Sequence, residues 1–421
     1  MSPNDAPSRR SCRFYAQDHA KPSPGECNAS IVGQPAPVRA CLRVTPELDI
    51  RVRRILKNDL ISAQGDGETM DLRTDTGRSN VSSPSRRRLL RMMAAAGVGG
   101  LAKLAGLRGS AAAAAGPAVL WRGRVLGAEA EIRAHHADRD HAEQAVAAVI
   151  ADVRRLEAIF SLHRDDSALS RLNRHGRLEP VPPDLHRLLG QCRDIHARTD
   201  GAFDPTVQPL WELYTRHFSS PGADPAGPPR AAIDAVIERL GMDKVTIAET
   251  ALHFDEPGMG LTLNGIAQGF ITDRAHARFA AAGLRHVLID LGEFRALGSR
   301  PDGDGWRIGI ADPQAPWQLI ERVRLGSGRA LATSAGAGAP FDAAMRHHHI
   351  FDPKTGRSGR AWRSVSVLAP TATLADALST AIAAAPADRA RAILAQFHGT
   401  RAILLSPEGR LVRLSAGDAR G

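Results

Sequence analysis

From residue 116 onward the chain alternates between apolar runs at helical spacing and short apolar runs bounded by turn residues. In residues 141–160, Val146, Val149, Ile150, Val153, Leu156 and Ile159 fall on one helix face, with acidic residues and arginines opposite. That helix should end at Ser161. Residues 163–173 start a second short helix, for which Asp165, Asp166 or Ser167 would serve as cap. Residues 185–197 predict another amphipathic helix, with Asp184 placed to cap it. In the segment 200–207, Gly201 allows positive φ and Pro205 fixes the chain just past Asp204. This reads as a turn and a capped entry into the helix PLWELY. Residues 219–230 are a Pro/Gly-rich surface loop, followed by a short helix over 231–240.

The strand signals are shorter. Residues 121–132 alternate weakly and predict an opening strand. Residues 245–247 and 252–254 predict a hairpin pair. Residues 261–278 predict a strand that passes through Asn264-Gly265 into a helix, a junction whose free backbone groups suit phosphate. Further strands are predicted at 287–292, 306–310, 323–325, 330–332 and 364–368. Residues 387–397 predict a helix, and 401–405 with 411–414 a closing hairpin. Strands and helices mix without strict β-α alternation, so the fold class is α+β. No fixed-period repeat is present.

Charge changes the picture only at the N-terminus. The formal net charge of the 421 residues is +10, but residues 1–115 hold 18 Lys+Arg against 10 Asp+Glu, which leaves 37 against 35 in 116–421. The body is nearly neutral, and a basic nucleic-acid face is not supported. Residues 1–84 are rich in Pro, Ser, Arg and Asp without a sustained apolar period. They read as disordered, or as sequence upstream of a later start at Met70. Residues 85–115 combine Arg86-Arg87-Arg88-Leu89-Leu90, a mild apolar run and an alanine-rich exit. This pattern is that of a secretory signal of the twin-arginine type. The mature domain would then span 116–421, be exported folded to the periplasm, and carry no membrane span. Of the four cysteines only Cys192 lies in that body, so no disulfide can form within it.

Candidate chemistry concentrates in residues 331–380. Thr333, Ser334, Gly336 and Gly338 form a small-residue stretch that lets backbone approach a ligand. His347, His348 and His349 lead into the tight-turn sequence Asp352-Pro353-Lys354-Thr355-Gly356. Such a run is usually a surface loop in which at most one imidazole has a role. Asp376 and Thr380 lie four apart in an Ala-rich, helix-prone run, so both oxygens fall on one face. With a backbone carbonyl they make a hard-oxygen set suited to Mg²⁺; an ordinary helix N-cap region would show the same spacing. There is no G-x-G-x-x-G after a strand, no G-K-[ST] loop and no G-x-S-x-G elbow. These absences disfavour a Rossmann dinucleotide unit, a P-loop nucleotidase and an α/β-hydrolase.

Taken in order, LGAEAEI, LEAIFSLHRDDSALSRLN, DGAFDPTVQPLWELY, LTLNGIAQGFITD, LIDLGEFRALG, WRIGIADP, ATSAG, HHHIFDPKTG and ADALSTA resemble the ApbE family of FAD:protein FMN transferases. The resemblance covers about residues 120–414. It implies an α+β fold of mixed, T-fold-related sheets packed with helices. It also implies an enzyme that uses FAD and Mg²⁺, attaches FMN by a phosphoester to a threonine of an acceptor protein, and releases AMP. By the same resemblance Leu126 and His163 lie against the flavin, and Gly201, Ala202, Phe203 and Asp204 form the FAD-contacting turn. Thr262 and Gln268 stand near FAD, where many members have Asp and a Lys or Glu. Thr333 and Ser334 would line the phosphate, with His349 and Ile350 beside the pyrophosphate. Gly265, Asp376 and Thr380 would hold the metal, and His349 and Asp376 would carry catalysis. Glu293 replaces the second glycine of the family's usual pair. The export signal is similar to that of the NosX-like branch of nitrous-oxide respiration. The partner implied is an exported acceptor flavoprotein, with membrane-bound respiratory subunits of the NosR or Rnf type as candidates. An FAD pyrophosphatase and a non-catalytic exported FAD-binding maturation factor are the alternatives.

Overall fold

Leu126 and Gly127 both adopt positive φ (46° and 82°), and this pair decides the first element. The stretch expected as one strand folds back as a hairpin of β1 (Ala118–Val125) and β2 (Ala128–His135). The computed structural model describes residues 116–417 and, before them, only the backbone of Ile50–Arg51. The expected disordered segment and twin-arginine signal lie outside the described residues.

The hairpin is one edge of an eight-stranded, wholly antiparallel sheet. Its other strands are β3 (His286–Asp290), β4 (Phe294–Leu297), β7 (Ala330–Ser334), β8 (Ser364–Ala369), β9 (Arg401–Leu405) and β10 (Leu411–Ser415), in the spatial order β10-β9-β8-β7-β4-β3-β2-β1. A second hairpin, β5 (Trp306–Asp312) with β6 (Ala315–Leu325), supplies Trp306, Ile308, Ile310 and Leu325 to a cluster with Leu288, Phe294, Leu331 and Leu368. Helices supply the larger apolar cluster. Because apolar clusters form on both faces of the central strands, β7 and β8 are buried at every position. Their sequences, ALATS and SVSVLA, are accordingly small and apolar without an exposed face.

Helix α1 (Arg139–Phe160) is capped by Asp138, and α2 (Ala168–His175) by Ser167, whose side chain accepts from Ser170 N. Helix α3 spans Pro183–Arg198 and starts behind Pro182; Asp184 is not its cap but takes Arg155 Nη1 at 2.7 Å. Helices α4 (Gln208–Phe218) and α5 (Arg230–Ile237) form a smaller cluster around Leu210, Tyr214 and Ile233. Helix α6 (Ala267–Ala281) is preceded by irregular chain; residues 260–266 form no strand, contrary to the pattern. Their backbone is held instead by side chains: Asn173 donates to Leu261 O and accepts from Leu261 N, both at 2.8 Å. Helix α7 (Ala372–Ala384) and the short α8 (Arg389–Ala395) complete the set. Strand β4 and most of β6 gave no sequence signal, because β4 is only four residues long and β6 buries only Leu325. Cys192 is fully buried in α3, and burial pushes its thiol pKa up, so it is inert packing.

Candidate functional site

The site is built where α6 crosses α7. Gly269 and Asp273, four apart in α6, present one face to α7, and Gly265, two residues before the helix starts, meets α7 as well. A Cβ on Gly269 would lie 2.3 Å from the Ala372 carbonyl oxygen, and one on Gly265 would lie 2.8 Å from Thr380 Oγ1. Only glycine lets the two backbones approach this far. At the crossing, Asp376 Oδ2 accepts the Gly269 N–H at 3.0 Å. One turn further, the Asp273 carboxylate accepts from the backbone N–H groups of Ala372 (2.8 Å) and Thr373 (3.0 Å) and from Thr373 Oγ1. It thereby caps α7 from the neighbouring helix, with Arg295 closing its other side. Asp376 therefore sits inside α7, whose N-cap is Thr371, and is not part of a capping region.

Strand β7 delivers a hydroxyl to the same place. Ser334 Oγ lies 2.7 Å from Ser379 Oγ and 3.3 Å from Thr380 Oγ1. Ser379 Oγ donates to the Asp376 carbonyl at 3.0 Å. Asp376 is buried, while Gly265 and Thr380 are half-exposed and lie against each other, so the crossing presents one buried carboxylate and, nearer the surface, one hydroxyl beside the Gly265 backbone. Among the described residues no group of three or more His, Cys, Asp or Glu is arranged to hold a metal. One carboxylate with hydroxyl and carbonyl oxygens does fit Mg²⁺, which keeps waters and takes remaining ligands from substrate phosphate. Gly265, Asp376 and Thr380 are the residues that would hold it.

Of the candidate flavin residues, Gln268 stands in α6 itself, and Leu126 and the turn over 201–204 connect to α6 or to the chain just before it. Gln268, buried in the first turn of α6, reaches Val125 O at 3.4 Å, next to Leu126. Its amide fills the space a Cβ on Gly292 (φ 103°) would need. Leu126 is half-buried in the β1–β2 turn, its N–H held by Glu157 at 2.8 Å. The turn over residues 201–204 packs beside the irregular segment, since Thr262 N donates to Pro205 O at 2.8 Å. Within it Gly201 has φ 75°, Ala202 is half-exposed and Phe203 is buried. Asp204 accepts from Thr206 N (2.8 Å) and Thr206 Oγ1 (2.6 Å), and burial raises its pKa against the opposing pull of His196. Its carboxylate thus organises the turn. His163 is exposed in the loop after α1, where its N–H meets Ser161 Oγ.

The histidine run is not a surface loop. His347 and His348 are buried and His349 is half-buried. His347 packs on Tyr214 and Phe218, and its Nε2 is 3.2 Å from Pro225 O. His348 accepts the Ile350 N–H at Nδ1 (3.3 Å) and so donates from Nε2 to Gly359 O (2.8 Å). Burial drives its pKa down to about 4, so it is a neutral structural residue under Gly336. His349 pairs with Ala339 O through both its N–H (3.2 Å) and Nδ1 (3.3 Å). Ile350 is buried beside it. Thr333 donates its N–H to Glu293 Oε2 at 3.2 Å, so Glu293 turns inward where a second glycine was expected by resemblance.

The residues that sequence reasoning missed are the brackets of the site: Gly269, Asp273, Ser379 and the Glu293 contact. The four-residue spacing of Gly265, Gly269 and Asp273 was the available signal.

The sequence model described as the ApbE family matches residues 126–404. A FAD:protein FMN transferase of Rhodobacter capsulatus is 34% identical over 298 residues, covering 66% of this chain and 54% of that protein. The chain thus spans about half the length of that relative. The corresponding protein of Treponema pallidum is 33% identical over 285 residues, covering 62% and 76%. Among solved structures, the flavin transferase ApbE from Vibrio cholerae superposes with a TM-score of 0.60 at 26% identity, covering 71% of this chain and 98% of that one. The apo Pseudomonas stutzeri flavinyl transferase ApbE gives 0.60 at 27%, covering 71% and 94%. With that family's model spanning most of the described residues, and the fold shared with two solved flavin transferases over nearly their full lengths, the chain belongs to the ApbE family.

Proposed function

We propose that this ApbE-family enzyme is a Mg²⁺-dependent FAD:protein FMN transferase that modifies a threonine of an exported acceptor protein. The threonine oxygen forms a bond to the FMN phosphorus, the bond from that phosphorus to the bridging oxygen breaks, and AMP leaves with the electron pair. The observation that carries this reading is the convergence of Gly265, Asp376 and Thr380 at the α6–α7 crossing. Relatives named for this activity, at 34% and 33% identity, support it.

Phosphoryl transfer asks the protein mainly for positioning and charge neutralisation. Mg²⁺, when bound, supplies the neutralisation of pyrophosphate oxygens as charge develops. The Gly269 N–H orients the Asp376 carboxylate, and Ser334 aligns the hydroxyl of Thr380. Thr333 and Ser334 line the phosphate side, with Leu126, His163, the turn 201–204, Thr262 and Gln268 along the flavin. His349, held to Ala339 O through Nδ1, is the imidazole assigned here to take the threonine proton. The basic, weakly apolar residues 85–115 support export by the twin-arginine route to the periplasm.

The test incubates purified protein with FAD, Mg²⁺ and candidate exported acceptors, read by in-gel flavin fluorescence, FMN mass addition and AMP release. Asp376→Ala should lower transfer by about 10²–10³-fold, as expected for loss of a preorganised electrostatic group. Wild-type transfer by that variant would remove the metal role. AMP without a labelled protein would make the chain a hydrolase of FAD, and tightly held FAD without AMP a carrier.

A further inference from the structure

Next to the histidine hairpin, on the side of α4 and α5, lies a cavity of about 270 Å³ lined by Arg230, Arg346, Arg357 and Arg360 over the buried Tyr214 and His347. Arg230 pairs with Asp234, and Arg346 with Asp342 at 3.4 Å. Among the described residues no carboxylate pairs with Arg357 or Arg360. Among the described residues, the Arg360 guanidinium donates to the Arg346 carbonyl, at 3.3 Å. The same arginines act on the groups beneath: Arg357, Arg360 and Arg230 oppose the rise that burial imposes on the Tyr214 pKa, and Arg360 and Arg346 add to the lowering at His347. The cavity therefore carries more positive than negative charge. It is smaller than the roughly 300–1,000 Å³ of sites for drug-sized ligands, so it does not take a dinucleotide. One or two acidic side chains fit it.

Its position gives it a use. Phe341 N donates to His347 O and His349 N to Ala339 O, so one hairpin carries the cavity wall and His349. Two residues along extended chain separate His347 from His349 by about 7 Å. We propose that this cavity binds the carboxylates of an acidic segment of the acceptor protein and so brings the acceptor threonine to the phosphate end of the site. This rests on the transferase reading above. Arginine forks recognise carboxylates with paired, charge-assisted hydrogen bonds, which suits docking of an exposed loop.

The probe is a fluorescein-labelled peptide with one threonine flanked by aspartates, against the same peptide with asparagines, measured by anisotropy on the full chain. Wild-type protein should bind the acidic peptide about ten-fold more tightly, and the difference should shrink with salt. Arg357→Glu with Arg360→Glu should abolish that difference, while Arg357→Lys with Arg360→Lys keeps most of it. Both side chains are exposed, so these variants keep the fold, which circular dichroism checks. FAD affinity, read from flavin fluorescence, should stay within about two-fold in every variant, because the arginines lie outside the flavin residues. Equal binding of the two peptides by wild type overturns the proposal. So does displacement of the acidic peptide by millimolar inorganic phosphate where chloride of equal ionic strength leaves it bound, since the cavity is then a phosphate site. FMN transfer is scored separately: its absence with peptide discrimination intact removes the transferase reading and leaves the carboxylate site standing.

Discussion

Replacing Gly265 by alanine tests the site with one carbon atom. The new Cβ would lie 2.8 Å from Thr380 Oγ1, 2.9 Å from Cγ2 and 3.2 Å from Cβ. Ordinary contact begins near 3.4 Å, so Thr380 or the segment at Gly265 must move by about 0.6 Å. Thr380 sits in a helix pinned at its start by Asp273 and in its middle by Gly269, so it has little freedom to yield. Metal–ligand distances tolerate about 0.2 Å, and a 0.6 Å displacement exceeds that threefold. Overpacking of this kind costs about 1–3 kcal/mol. The expected result is a fall in stability of that size in urea denaturation, and an apparent Mg²⁺ affinity weakened by at least about ten-fold, or about 1.4 kcal/mol, in FMN transfer. The double variant Gly265→Ala with Thr380→Ala separates the two effects. It removes the two nearest atoms and should recover most of the stability while leaving the Mg²⁺ requirement impaired. A Gly265→Ala protein with wild-type stability and an unchanged Mg²⁺ titration would refute the reasoning.

The same geometry makes other expectations. Asp273→Ala removes the acceptor for two backbone N–H groups and leaves Arg295, with a largely buried side chain, without its partner. A loss of about 3–5 kcal/mol is expected, and equilibrium urea unfolding would detect it; a loss below about 1 kcal/mol would show that α7 is held by packing alone. His348 has a folded pKa near 4 against an ordinary 6.5, so its neutral form stabilises the fold above pH 6.5. That contribution, on the order of 3 kcal/mol, should drain away as pH falls from 6.5 toward 4. His348→Gln should be less stable at neutral pH and show a shallower loss over that window; identical slopes would exclude His348 as the source.

Much of the helical layer was legible in sequence because one apolar stripe per helix meets the core. Helix α1 was placed nearly to the residue, and Ser167 was among the caps named for α2. Strands were harder. β4 is only four residues long, too short for its alternation to stand out, and β6 has a single buried position, at Leu325, so its pattern marks no core face. The hairpin at Leu126 was hidden because a non-glycine residue takes positive φ there, held by Glu157 from a distant helix. The expected strand before α6 fails because Asn173, 88 residues earlier, satisfies its backbone.

For the site, spacing alone put Asp376 and Thr380 on one helix face, and composition alone separated a basic leader from a nearly neutral body. Those are local properties, carried by periodicity and charge within one stretch of chain. That Gly265 lies against Thr380, that Asp273 caps a helix 99 residues away, and that two of three adjacent histidines are neutral packing were decided only by the tertiary structure. Each depends on which backbone from elsewhere arrives close enough to clash, to donate a hydrogen bond or to exclude water, and no local pattern encodes that arrival.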